Sequence, residues 1–189
     1  VGSQDQTAAA FGGFNKISFN LNNNVDVEPI IIDEKRLADL NGKLMLFFTG
    51  FARTASEIAK KQIEITHKKE YELKRMSEIC DEGFEILNNP NESLDSFGKL
   101  LNEQWETKRS LTKIISNKEI DEIYSAGISA GAIGGKLLGA GGGGFMLFYV
   151  PNKNQARVKE ALKAKLFVPF RFDYSGSKII YYSHSDREE

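Results

Sequence analysis

The order of apolar and polar positions at the start of the chain predicts a short helix followed by a β-hairpin. Residues 5–11 include three consecutive alanines, which have a high helix propensity, and Gly12-Gly13 ends this segment. Residues 16–19 alternate as in a strand, Asn22-Asn23-Asn24 is typical of a turn, and residues 25–32 predict the second strand. A helix and a hairpin bury too little surface for a core of their own, so we interpret them as the tail of a preceding domain.

The rest of the chain mixes strand and helix patterns. The apolar run at 44–48 is typical of a strand buried on both faces, and Ser93 is the predicted N-cap of a long helix that follows Asn88-Asn89-Pro90. The remaining predictions are a turn at Asn41-Gly42, a capping box at Thr54-x-x-Glu57, a helix through Met76, Ile79, Cys80 and Leu87, a helix starting near Ile120, strands at 136–138, 145–150, 167–172 and 178–183, and a helix at 155–164. This β-α-β-β-α-β order predicts an α+β, ferredoxin-like layer with extra helices.

One apolar stripe identifies a core face of the helix that begins after Ser93. Its members are Leu94, Phe97, Leu101 and Trp105, with Ile115 continuing the stripe. We therefore predict that Trp105 belongs to the core. Lys108 falls near the same face, where a buried charge requires a partner.

Composition narrows the class of protein. The 189 residues carry 25 Lys+Arg and 26 Asp+Glu, and this balance argues against a protein that mainly neutralises nucleic-acid phosphates. Cys80 is the single cysteine, so no intramolecular disulfide can form and a reducing, cytoplasmic location is expected. No apolar run approaches the roughly 20 residues of a membrane span, so no membrane partner is expected. The chain opens without Met, which favours a start inside a longer gene product.

The glycine-rich segment Gly139-Ala140-Gly141-Gly142-Gly143-Gly144 is the strongest candidate for chemistry. Glycines permit positive φ and close approach of another backbone or a phosphate, and successive amides in such a loop can form an anion-binding nest. The alternative is a wide hairpin turn that packs under a neighbouring loop. The segment is not a Walker A loop, since no Gly-Lys-Ser/Thr follows, and it leads into a strand, unlike a dinucleotide-binding fingerprint.

Five segments together resemble the GHMP family of small-molecule kinases. They are GSQDQTAAAFGG (2–13), FTGFARTAS (48–56), LLNEQWETKRSL (100–111), GGKLLGAGGGGF (134–145) and KLLGAGGGGFMLFYVP (136–151). The last resembles the third signature motif of the family, and the first resembles the segment with the catalytic aspartate. Residues 48–56, 100–111 and 134–145 together are most similar to the D-glycero-D-manno-heptose 7-phosphate kinase branch.

The resemblance implies the C-terminal portion of an ATP-dependent sugar kinase. Residues 1–35 would be the remnant of an N-terminal domain like the second domain of ribosomal protein S5, and residues 36–189 the ferredoxin-like C-terminal domain. The family's first motif and its phosphate-binding loop are absent, and both would lie upstream. The chain alone is therefore expected to be inactive, with ligands for Mg²⁺ mainly upstream and no metal ligands of its own.

The resemblance also implies roles for individual residues. Asp5 would act as the base that orients or deprotonates the attacking hydroxyl, while Gly2, Ser3 and Gln4 would line the sugar side. The loop from Gly139 to Gly144 would close the side of the ATP γ-phosphate. The alternative for Asp5 is an ordinary helix N-cap.

Two further positions are candidates for contact with a sugar phosphate. Thr49, Gly50 and Arg53 lie where a strand runs into a helix, and free amides and an arginine fork suit an anion there. The alternative is that Arg53 pairs with a nearby Glu. Lys136 precedes the glycine loop, and its amine would face the sugar phosphate or remain solvated. His67 and His184 have no ligand spacing for a structural zinc site.

The expected substrate is a small sugar or sugar phosphate, with D-glycero-D-manno-heptose 7-phosphate first and galactose or fucose as alternatives. A different reading is a non-catalytic, ferredoxin-like interaction module. The hairpin at 16–32, without its parent sheet, either frays or pairs with a second copy of the chain as a homodimer.

Overall fold

Two compact units are distinguished by their internal contacts. The computed structural model describes residues 3–51 and 55–182. One unit is Ile30–Arg171, and the other combines residues 3–29 with residues 172–182. In chain order, the elements are α1 (Gln4–Phe11), β1 (Asn15–Phe19), β2 (Val25–Pro29), α2 (Glu34–Lys43), β3 (Leu44–Phe48), α3 (Ala55–Ile65), α4 (Glu70–Asn88), α5 (Leu94–Leu111), α6 (Lys118–Ser129), β4 (Gly134–Leu137), β5 (Phe145–Tyr149), α7 (Gln155–Ala161) and β6 (Leu166–Val168).

The larger unit is built on one four-stranded antiparallel sheet. Its strand order is β4-β5-β3-β6, so the strands that are neighbours in space are not all neighbours in sequence. Phe47 of β3 lies opposite Met146 of β5, and Lys136 of β4 lies opposite Leu147. The predicted α+β, ferredoxin-like architecture with extra helices is confirmed, with α3 to α6 inserted between β3 and β4.

The core of this unit lies between the sheet and the helices. Burial alternates along β3, where Met45 and Phe47 are inside, and β5 contributes Met146 and Phe148. Trp105 of α5 is fully buried in the same cluster, which confirms the prediction that it is a core residue.

Side-chain caps fix the starts of several helices. Ser93 accepts a hydrogen bond from the amide of Asp95 at 3.2 Å, as predicted for the N-cap of α5. Asp33 caps α2 in the same way, accepting from the amide of Arg36 at 2.9 Å. Helix α2 then continues through Asn41 and Gly42, so the turn predicted there is wrong.

Two glycines let α5 approach the strands β4 and β5 closely. A Cβ built on Gly134 would lie 2.0 Å from the carbonyl oxygen of Gly98, and a Cβ on Gly98 would lie 2.6 Å from Cδ1 of Tyr149. Larger residues at either position would force the helix away from the sheet. This contact therefore determines how near the side chains of α5 come to β4 and to the loop that follows it.

The smaller unit joins the start of the described chain to its end. Its hairpin pairs β1 with β2 in antiparallel register, with Asn23 at a φ of 64° in the predicted turn. The amide of Ser177 donates to the carbonyl of Ala10 at 2.9 Å, and the rings of Phe14 and Phe172 stack at 5.1 Å.

The end of the chain differs from its sequence pattern. Residues 178–182 form no strand, so the strand predicted at 178–183 is wrong over these residues, and residue 183 lies outside the described part. Strand β6 is also shorter than the predicted 167–172. It stops at Val168 because Pro169, which lacks an amide donor, follows. Across residues 3–51 and 55–182, no helix has the length and apolar character needed to cross a membrane.

Candidate functional site

The glycine loop connects β4 to β5 in a conformation that only glycine adopts readily. The φ angles are 74° at Gly139, 123° at Gly141, 76° at Gly142, 154° at Gly143 and 107° at Gly144. All fall in the region that L-residues rarely occupy. The sequence prediction of positive φ is therefore confirmed for this loop.

The loop packs tightly against two other backbone segments. A Cβ on Gly141 would lie 2.9 Å from the carbonyl oxygen of Ile115, and a Cβ on Gly143 would lie 2.8 Å from that of Phe51. The close approach that these glycines allow is thus made to the protein's own chain. This agrees with the alternative in which the turn packs under neighbouring loops, and it leaves a role in phosphate binding open at the remaining positions.

Backbone hydrogen bonds hold the loop at two points. The amide of Gly142 donates to Ile115 and the amide of Gly144 donates to Phe51, both at 2.8 Å. Among the residues the structure describes, the amides of the other loop members have no protein acceptor; these are Gly139, Ala140, Gly141 and Gly143. Such amides are the donors from which an anion-binding nest is made.

Thr49 fastens the end of the loop to the end of β3. It is fully buried, its amide donates to the carbonyl of Gly144 at 2.9 Å, and its hydroxyl accepts from the amide of Gly144 at 3.1 Å. The hydroxyl also lies 2.9 Å from the carbonyl oxygen of Gly144 and 3.1 Å from that of Phe51, so its single proton is directed to the protein. Thr49 is a positioning residue for the loop in this arrangement, and its predicted contact with substrate stays a prediction.

Gly50 continues this turn with a φ of 100° and is exposed. Below it, the amine of Lys165 donates to the carbonyl of Thr49 at 2.9 Å and to a carboxylate oxygen of Glu119 at 2.7 Å. Lys165 therefore links α6 to the turn after β3 and keeps a charge partner. The predicted contact of Gly50 with a phosphate stays a prediction.

Two lysines approach the glycine loop from α5 and β4. The amine of Lys108 donates to the carbonyl of Gly139, while Lys136 belongs to β4 itself. Burial and the nearby charge of Lys136 lower the pKa of Lys108 to about 8. Burial also lowers the pKa of Lys136, against a smaller opposing effect of Cys80. Lys136 is therefore partly buried and not a fully solvated lysine.

Asp5 lies in the first turn of α1, in the smaller unit. Its carboxylate is exposed and accepts a hydrogen bond from the side chain of Gln4 at 3.4 Å. Ser3 is the N-cap residue, but its side chain makes no capping hydrogen bond, so Asp5 is not the N-cap that the alternative proposed. Ser3 and Gln4 are exposed beside it, and their predicted roles stay predictions.

Several predicted features lie outside the described residues. They are Gly2, Arg53, His184 and the capping box at Thr54-x-x-Glu57. Within the described residues, no group of three or more His, Cys, Asp or Glu side chains is arranged to hold a metal ion.

Some contacts of the loop had no signal in the sequence. Gln62 of α3 donates to the carbonyl of Ala140 at 3.1 Å, and Phe51 and Ile115 accept from the loop as described above. These partners are far from the loop in sequence. Neither a glutamine nor a backbone carbonyl has a sequence pattern that would predict contact with the loop. Lys108 had one signal, its position near a buried helix face.

The packing of the loop gives a prediction for a matched pair of variants. Gly141→Ala should lower the free energy of unfolding by about 1–3 kcal/mol more than Gly144→Ala, since overpacking against Ile115 adds to the strain of positive φ. Gly144 has a similar φ, but nothing lies within 4 Å of an added Cβ. Urea denaturation of both variants measures the difference. Equal losses of unfolding free energy in the two variants would show that Ile115 moves away from the added Cβ at little energetic cost.

Comparisons with known proteins show similarity to kinases, both for a part of the chain and over nearly its whole length. The profile of the family described as GHMP kinases C terminal matches residues 85–167. A D-glycero-alpha-D-manno-heptose 7-phosphate kinase of Campylobacter jejuni is 34% identical over 185 residues, which cover 94% of this chain and 53% of that protein.

Solved structures share the fold. The crystal structure of a D-glycero-D-manno-heptose 1-phosphate kinase from Bacteroides thetaiotaomicron matches with a TM-score of 0.63 and 26% identity, over 97% of this chain and 50% of that one. The crystal structure of L. major mevalonate kinase in complex with R-mevalonate matches with a TM-score of 0.70 over 92% of this chain and 53% of that one. At 21% identity, the second likeness concerns the fold alone. The chain spans about half the length of these relatives.

Proposed function

Because the chain carries a GHMP kinase C-terminal domain, we propose that it is the C-terminal portion of an ATP-dependent sugar kinase whose acceptor is D-glycero-D-manno-heptose 7-phosphate. The observation that carries this proposal is the 34% identity to a kinase of that name over nearly the whole chain. The resemblance of residues 48–56, 100–111 and 134–145 to the heptose kinase branch agrees with it. In this proposal, residues 1–35 belong to the N-terminal domain of the enzyme and residues 36–189 form its C-terminal domain.

Asp5 is proposed as the group that receives the proton of the acceptor. The hydroxyl oxygen of the sugar forms a bond to the γ-phosphorus of ATP, the bond from that phosphorus to the β,γ-bridging oxygen breaks, and ADP leaves. The hydroxyl proton passes to the Asp5 carboxylate. Phosphoryl transfer asks a protein mainly for positioning and charge stabilisation, and an exposed carboxylate in the first turn of a helix suits that task. Gly2, Ser3 and Gln4 are proposed to line the sugar beside it.

The glycine loop is proposed to close the site around the ATP γ-phosphate. Its amides without protein acceptors among the described residues are suitable donors for phosphate oxygens, and Thr49 keeps the loop in the shape that aims them. Gly50 and Arg53 are proposed to contact the phosphate of the sugar. Mg²⁺ would supply charge neutralisation of the phosphates, and the described residues include no cluster of ligands for it. Its ligands are proposed to come mainly from residues upstream of this chain.

The test is an acceptor panel assayed with the complete enzyme that includes this chain. D-glycero-D-manno-heptose 7-phosphate, its unphosphorylated sugar, galactose, fucose and mevalonate are each offered with MgATP, and products are followed by ³¹P NMR. The heptose 7-phosphate should give the highest kcat/KM and a bisphosphate product. A higher kcat/KM for another acceptor would overturn the assignment of the sugar, and turnover of none would favour the non-catalytic interaction module.

A further inference from the structure

Lys108 and Lys136 differ from the other partly buried lysines of the larger unit in having no carboxylate partner among the described residues. Three lysines whose side chains are 20–27% exposed each form an ion pair; they are Lys43 with Asp39, Lys69 with Glu72 and Lys165 with Glu119. Elsewhere in the larger unit, a partly buried lysine amine thus has a carboxylate partner. At the glycine loop, two such groups lie near each other without one.

Backbone geometry brings the two lysines to the same place. Gly134 contacts Gly98 at one end, and Lys108 reaches Gly139 at the other, so α5 and the strand run side by side. Ten residues of helix rise about 15 Å and five residues of extended chain about 17 Å, so the two spans match. Successive strand side chains point to opposite faces, which places Lys136 on the face of Gly134, toward α5.

We propose that Lys108 and Lys136, together with the free amides of the glycine loop, form a binding site for a phosphate group. Lysine amines and backbone amides, the two kinds of donor, lie together at this loop. The amine of Lys108 donates to the carbonyl of Gly139, and the amides from Gly139 to Gly141 have no protein acceptor in the described part of the chain. Gly139 is exposed, so an anion reaches this place from solvent. That the phosphate belongs to a reactant rests on the proposed function.

Electrostatics favours a multiply charged anion at this pair. Burial removes water from both amines and lowers the pKa of each. The nearby charge of Lys136 lowers the pKa of Lys108 further, whereas Cys80 of α4 raises the pKa of Lys136 and opposes the effect of burial. A phosphate dianion between the amines would replace the lost hydration and cancel the repulsion, whereas a neutral ligand would do neither.

The direct test uses the 189-residue chain and inorganic phosphate as the probe. Phosphate is titrated at pH 7 and constant ionic strength, with chloride as the reference anion, while NMR follows the lysine Nζ groups and the amides of the glycine loop. The site should give saturable shifts at Lys108, Lys136 and Gly139. Lys108→Met and Lys136→Met should each weaken binding about tenfold or more, because each removes a charge-assisted contact.

Lys99→Met is the matched control, since Lys99 is an exposed lysine on the same helix, and it should leave phosphate binding unchanged. The methionine variants should also unfold at the same or higher denaturant concentration than the wild type, because they remove an unpaired buried charge. Shifts that rise without saturation, or that chloride reproduces, would overturn the site. The wild-type titration decides this even where a variant fails to fold.

Kinetics of the complete enzyme separate the two sources of phosphate. If the pair holds the sugar phosphate, Lys136→Met raises KM for the phosphorylated heptose and leaves KM for ATP and for the unphosphorylated sugar unchanged. If it holds a nucleotide phosphate, KM for ATP rises with every acceptor. If the enzyme is an active heptose kinase and Lys136→Met changes neither the KM for the phosphorylated heptose nor the KM for ATP, the phosphate site is contradicted and the proposed function is not. Phosphate binding in a protein without heptose kinase activity contradicts the proposed function alone.

Discussion

Replacing Asp5 with asparagine should lower kcat of the proposed kinase about 10²- to 10⁴-fold, the usual contribution of a general base. Asparagine has the same shape but cannot accept the proton of the sugar hydroxyl. The loss should fall on kcat, with KM for both substrates close to that of the wild type. The fold should survive, because the Asp5 side chain is exposed and has only the long hydrogen bond from Gln4 among the described residues.

Asp26→Asn is the control for this variant. It makes the same chemical change at an exposed carboxylate of the hairpin, where Asp26 accepts a hydrogen bond from Asn20 at 2.7 Å. Steady-state kinetics on both variants, with circular dichroism to check folding, should show a large loss for Asp5 only. If Asp5→Asn keeps kcat near the wild-type value, the residue is not the base and the proton must pass elsewhere.

Gly134→Ala should be among the most destabilising single changes in the larger unit. The added Cβ would lie 2.0 Å from the carbonyl oxygen of Gly98 and 2.9 Å from the amide nitrogen of Asn102. Both contacts are backbone atoms, which cannot rotate away as a side chain does, so α5 must move from β4. We expect a loss of about 3 kcal/mol in the free energy of unfolding, at the upper end of typical overpacking. The corresponding fall in Tm is about 6–12 °C.

Gly42→Ala is the matched control and should change stability in the opposite direction. Gly42 lies inside α2, and nothing is within 4 Å of an added Cβ. Alanine there should raise the free energy of unfolding by about 0.5–1 kcal/mol, because it restricts the unfolded chain and favours the helix. Thermal and urea denaturation of both variants compare the two signs. A Gly134→Ala protein as stable as the wild type would show that helix and strand separate without strain.

The sheet was largely predictable because burial gives strands a simple signature. The apolar run at 44–48 and its antiparallel partner at 145–149 are the two central strands. Burial alternates along 44–48, so one face of this strand is buried and the other only partly, and the prediction of burial on both faces is wrong. The edges were less predictable. Residues 178–182 have strong strand propensity, but propensity forms no strand without a partner to complete its hydrogen bonds.

Helix α2 shows how a local signal can be overruled. Asn41-Gly42 is typical of a turn, yet the helix capped by Asp33 continues through both residues. Leu40, one residue earlier, is fully buried, and burying it gains more than the modest penalty of a glycine near the helix end. The cap at Asp33, which was not among the sequence predictions, stabilises the start of this helix.

The candidate site was predictable only in part. The glycine run marked the loop, because no other residue type adopts its φ angles readily. Thr49 binds Gly144, 95 positions away, and Lys108 binds Gly139, 31 positions away. No local sequence pattern indicates contacts between residues so far apart. The sequence therefore identified the loop as a candidate but not the groups that hold it in shape.

The makeup of the smaller unit has a consequence for biosynthesis. Its two stretches are 3–29 and 172–182, and the first is synthesised well before the second. Residues 3–29 therefore cannot pair with their partner stretch until residues 30–171 have been translated. The larger unit, whose stretch is continuous, can fold during that wait. On a stalled or prematurely terminated nascent chain, the opening helix and hairpin would remain without Ser177 and Phe172, and would be a natural target for chaperones and proteases.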